Sequence, residues 1–68
     1  MVDRVQVREV IFEIMQIGNM LRVAAVDPIT GTEVTVAGPL SAGEGHLKRV
    51  AQRKLEYVLT RQLSEGIK

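Results

Sequence analysis

Between Val5 and Ile17 the chain is rich in Val, Ile and Phe, and Val10, Phe12 and Ile14 alternate with Glu9 and Glu13. Alternation with a period of two is the mark of a half-buried strand, so a first strand is expected over about 5–17. Gly18-Asn19 has the form of a two-residue hairpin loop, since both residue types tolerate the positive φ that type I′ and II′ turns demand. A second strand then runs over about 20–26. In Asp27-Pro28-Ile29-Thr30-Gly31, Pro fixes φ early in a turn, Asp bonds the backbone ahead of it and Gly takes a left-handed closing position. The third strand is expected over about 32–37.

The two turns fix a register, and each can be tested against the other, because a slip of one residue throws every side chain to the opposite face. Ile17 opposite Met20 sets Ile14 against Val23 and Phe12 against Ala25, while Asp27 opposite Thr32 sets Ala25 against Val34 and Val23 against Val36. Both turns therefore gather Phe12, Ile14, Leu21, Val23, Ala25, Val34 and Val36 on one face.

The period changes after Gly38-Pro39, which are expected to end the sheet. Ser41 and Glu44 have the S-x-x-E spacing of a capping box, placing a helix over about 42–64 that frays near Ser64 and stops at Gly66. Gly43 and Gly45 weaken its first turn. Leu47, Ala51, Leu55, Val58 and Leu59 share one arc, with Arg49, Arg53, Glu56 and Thr60 on the opposite side. The expectation is one α+β domain over 1–68, a three-stranded antiparallel β-meander packed on a C-terminal amphipathic helix.

One helix covers one face of a sheet. Ile11, Met15, Ile17, Met20, Ala24 and Val26 fall on the other, among Glu9, Glu13, Arg22 and Glu33. A chain of 68 residues also has a thin core, hiding only about 60% of the surface that its unfolded form exposes. Cysteine is absent, so disulfides and thiolate metal sites drop out as reinforcement and a reducing, cytoplasmic setting is expected. Self-association remains. A homodimer is expected through the first strand and the open face, with Val5, Val7, Ile11, Met15 and Val26 at the interface. Two routes stand open: pairing of overhanging first strands, or exchange of helices across a hinge at Gly38–Gly45. No apolar run is long enough to span a bilayer, and Asp3 and Arg4 interrupt the N-terminus before a signal-peptide core, so no membrane partner is expected.

The chemistry-bearing residues are sparse. His46 is the single histidine, and with Glu44 it falls short of the three protein ligands that a zinc site needs. Ser41 is accounted for by capping, and no nucleophile has a base within reach. A non-enzymatic protein without cofactor is expected. Gly38–Gly45 precedes a helix but lacks the Gly-Lys-Ser/Thr ending of a phosphate-binding loop. Net charge is only +1, yet residues 44–68 are basic, and Lys48, Arg49, Arg53, Lys54 and Arg61 are expected to make one side of the helix positive. Those five are candidate phosphate contacts under an alternative reading, a small nucleic-acid-associated protein. The acidic strands and the scarcity of aromatic stacking residues, Phe12 and Tyr57 alone, count against it.

The blocks Arg8-Glu9-Val10 through Gly18-Asn19, Asp27 through Val34, Gly38-Pro39 and Leu47 through Leu59 together resemble a family of short bacterial proteins of unknown function. The blocks consist of turn and core residues. The resemblance implies a fold and an oligomeric habit, and no catalytic or binding residue. Of the two readings, the homodimeric protein-interaction module leads, with room for an unidentified protein partner.

Overall fold

The structure, a computed structural model, describes the backbone of residues 9–66 and the side chains of 9–63. Three antiparallel strands, β1 (Ile11–Ile17), β2 (Met20–Val26) and β3 (Glu33–Pro39), form a meander in the order β1-β2-β3. A short 3-10 turn (Leu40–Ala42) leads to one helix, α1 (Glu44–Gly66). The fold is the expected α+β meander and helix.

The register is the expected one throughout: Ile17 pairs with Met20, Phe12 with Ala25, Ala25 with Val34 and Val23 with Val36. Local chemistry explains it. Gly18 has φ +58° and, among the described residues, none other than glycine has positive φ, so the first hairpin turn is of the II′ kind, which needs positive φ only at its first central residue. In the second turn the Asp27 carboxylate accepts the Ile29 and Thr30 N–H groups at 3.2 and 3.3 Å and the Thr30 hydroxyl at 2.7 Å. The Asp27 N–H donates to the Thr32 carbonyl at 2.9 Å, and Gly31 donates to the Asp27 carbonyl at 2.8 Å from φ +76°.

Some boundaries differ from expectation. Residues 9 and 10 stand outside β1, and the expected start of the strand, with Val5 and Val7, lies outside the described residues. The three strands of the sheet are each seven residues long, so no overhang of β1 is seen among the described residues. β3 runs on through Gly38 and Pro39 because β2 supplies partners for both, Leu21 and Met20. Gly38 is therefore a strand residue in close contact with the helix: a Cβ added there would lie 2.8 Å from Leu47 Cδ2.

The capping box does not form, since Ser41 sits inside the 3-10 turn and Gly43 immediately precedes α1. Gly43, at φ 87° and ψ 143°, donates to the Leu40 carbonyl and accepts the first helical bond from Leu47 N–H. That backbone conformation is open to glycine and strained for other residues, so it takes precedence over the Ser41 signal. The helix consequently starts at 44 and continues to 66.

Leu47, Ala51, Leu55 and Leu59 pack on Leu21, Val23, Ala25 and Val34, with Val10, Phe12, Val36, Ala42 and Val58 at the margin. Glu56, expected on the solvent side, is buried instead. Gln52 Nε2 reaches its carboxylate at 3.5 Å, and one turn on, the Thr60 hydroxyl donates to its carbonyl at 2.7 Å. α1 lies mainly over β2 and β3. Ile14, expected in the core, lies on the helix side of the sheet but beyond the margin of α1, and is therefore 39% exposed.

Candidate interaction surface

The offset of the helix makes β1 unusual. Its Ile11, Met15 and Ile17 project from the open face and are each more than half exposed, while Phe12 is half-buried and Ile14 exposed on the helix side. A strand this apolar, IFEIMQI, is exposed on both faces.

Its outer edge is open as well. A two-residue hairpin loop makes the flanking pair, Ile17 and Met20, a hydrogen-bonded pair, and bonding then alternates along the ladder. Ile11, Glu13, Met15 and Ile17 turn their backbone groups to β2, so Phe12, Ile14 and Gln16 turn theirs outward. Among the described residues no strand pairs with β1 on that side.

The opposite edge of the sheet is treated differently. By the same alternation Glu33, Thr35, Ala37 and Pro39 turn outward on β3. Pro39 has no N–H to offer, and Lys54 from α1 donates to the Thr35 carbonyl at 3.2 Å. Proline and lysine are common devices for blocking an edge. β1 carries neither, and Glu13 is its one charge.

On the open face the row Glu13, Ala24, Thr35 runs across the strands, with Ala24 buried at its centre. The small side chain leaves a shallow depression of about 350 Å³, walled by Met15, Arg22 and Glu33. Of the residues expected at a dimer interface, Ile11 and Met15 are exposed here and Val26 sits half-buried opposite Ile11. Val5 and Val7 lie outside the described residues.

The five candidate phosphate contacts are spread around α1. Lys48 and Lys54 leave the helix on opposite sides of its buried stripe, Lys48 toward the Phe12 ring of β1 at 5.6 Å and Lys54 toward Thr35 of β3. Lys48 also pairs with Glu44 at 3.4 Å, and Arg61 lies over the Tyr57 ring at 5.9 Å. Arg49 and Arg53 share a hollow of about 240 Å³ with Gln52 and Glu56. At 3.6 residues per turn the positions of Lys48 and Lys54 relative to Ala51 already separate them, a signal that counting basic residues along the segment passes over.

The family model for a domain of unknown function, DUF6898, matches residues 7–62. The chain belongs to the DUF6898 family. The match takes in all three strands and most of α1, so the open edge of β1 and the guarded edge of β3 are both parts of the DUF6898 domain. The family has no stated function, in keeping with the resemblance noted from the turn and core blocks. No curated protein and no solved structure matches the chain.

Among the described residues no group of three or more His, Cys, Asp or Glu side chains is placed to hold a metal ion, and His46 is exposed. No described helix is long and apolar enough to cross a membrane. Among the described residues, the Thr30 hydroxyl and the two backbone N–H donors hold the Asp27 carboxyl below its ordinary value against the opposing effect of burial. That carboxylate is fully used in shaping its own turn.

Proposed function

We propose that the protein is a non-enzymatic interaction module that works as a homodimer, joined by antiparallel pairing of β1 with the β1 of a second copy. The single observation that carries this reading is the contrast between the two edges of one sheet: β3 is blocked by Pro39 and Lys54, whereas β1 is apolar on both faces and, among the described residues, has no partner along its outer edge. A second copy is the occupant because an antiparallel pair about a two-fold axis satisfies both open edges at once and adds buried surface to a thin core. Edge pairing is preferred over helix exchange because it uses backbone groups that β1 already turns outward, whereas exchange requires the packing of α1 on β2 and β3 to be broken and remade. A cytoplasmic setting goes with the cysteine-free chain.

Sedimentation of the parent chain across a wide concentration range, beside Ile14→Pro and Ile14→Lys, tests the reading. Proline at 14 removes an outward N–H and leaves the β1–β2 ladder intact, and lysine sets like charges against each other at the joint. The parent is expected to be a dimer and both variants monomers with unchanged circular dichroism. A monomeric parent, or folded variants that still dimerise, overturns it. Ile14→Lys keeps the test decisive where the proline variant unfolds.

A further inference from the structure

We infer that the two copies pair in one register, with the two-fold axis at Ile14; this rests on the reading of β1 as the dimer edge. A two-fold axis perpendicular to the sheet keeps like faces together, so each pair of facing residues has one fixed, even sum of residue numbers. With the axis at Ile14 all seven residues of β1 find a partner: Ile11 faces Ile17 of the second copy, Phe12 faces Gln16, Glu13 faces Met15, and Ile14 faces itself. The outward backbone groups of Phe12, Ile14 and Gln16 then bond one another.

The neighbouring registers are poorer. An axis at Glu13 sets two carboxylates directly opposite each other, which destabilises a pair of strands. An axis at Met15 leaves only residues 13–17 paired, and one at Phe12 only 11–13. Each therefore forfeits ladder bonds or exposed apolar contacts that the axis at Ile14 keeps.

The register also orders the exposed side chains. Val26 lies beside Ile11 within one copy and Met20 beside Ile17 within the other, so the joint lines up Val26, Ile11, Ile17 and Met20 as one apolar row across four strands of a six-stranded sheet. The two-fold repeats that row. On the helix side the two Ile14 side chains meet at the axis between the helices, covering the surface that the offset of α1 leaves open.

Because the chain has no cysteine, single substitutions report the register directly. Facing residues in a hydrogen-bonded antiparallel pair have Cα atoms about 5.5 Å apart, within disulfide range, whereas residues displaced along the strand are beyond it. Ile14→Cys is expected to form a covalent dimer on mild oxidation much faster than Glu13→Cys or Met15→Cys. The double variant Glu13→Cys, Met15→Cys is expected to cross-link as well. Ile29→Cys, on a loop tip at 91% exposure, gives the rate of random collision. If the chain sediments as a dimer but Glu13→Cys or Met15→Cys closes faster than Ile14→Cys, the register is wrong and the dimer stands. If every variant matches the Ile29→Cys rate and the parent is a monomer, both fall.

Discussion

At the scale of single residues, Asp27 shows how one side chain sets a turn. Its carboxylate accepts three hydrogen bonds from Ile29 and Thr30, and all three favour the ionised form. Its folded pKa lies below the ordinary 3.8, so it adds stability at pH values above 3.8, and that contribution is lost as the pH falls through the folded value. Asp27→Asn keeps a carbonyl acceptor without the charge. Thermal unfolding of parent and variant from pH 7 to acid should therefore show a constant gap at neutral pH that closes below 3.8. A gap that widens in acid would show that the charge opposes the fold. Asp27 and Gly31 were legible as turn formers because each acts through backbone within a few residues of itself. The role of Gly43 was not, since the extended, positive-φ conformation that calls for glycine goes with the bond from Gly43 N–H to the Leu40 carbonyl, and Ser41 offers a competing local signal.

At the scale of elements, the helix and sheet meet where Gly38 faces Leu47. Sequence reads Gly38-Pro39 as punctuation, yet the missing side chain matters for packing, because a methyl group at 38 would lie 2.8 Å from a buried leucine. Gly38→Ala should destabilise by about 1–3 kcal/mol, the usual range for overpacking a filled core. Denaturant unfolding measures the loss directly. Gly38→Ala combined with Leu47→Ala should cost less than the two single changes added together, since the second removes the atoms that the first collides with. Strict additivity would mean that the contact is relieved elsewhere. Pattern alone located the helix and its buried stripe, but the sideways position of α1 over β2 and β3 depends on contacts between elements. For that reason Ile14 reads as core in the sequence and stands exposed in the structure. Glu56 is the converse case: a charge on the polar arc reads as solvated, and its burial beside Gln52 and Thr60 becomes visible only in three dimensions.

At the scale of the whole molecule, the surplus of apolar surface on β1 and the shortage of core are two sides of one fact, and the proposed dimer would resolve both. If folding and association are coupled, unfolding converts one dimer into two chains, and the melting temperature must rise with protein concentration. Taking ~2.1 cal/mol/K of unfolding entropy per residue over two chains, each tenfold increase in concentration should raise it by about 5 °C. Ile14→Lys should melt lower than the parent, at a temperature that does not depend on concentration. The comparison separates an edge that binds from an edge that is only exposed: both give an apolar β1, but only the first ties stability to the number of copies present. A parent that melts at one temperature over a thousandfold range of concentration would leave β1 as surface. A slope of the expected size that vanishes in Ile14→Lys would place the missing part of the core in the second copy.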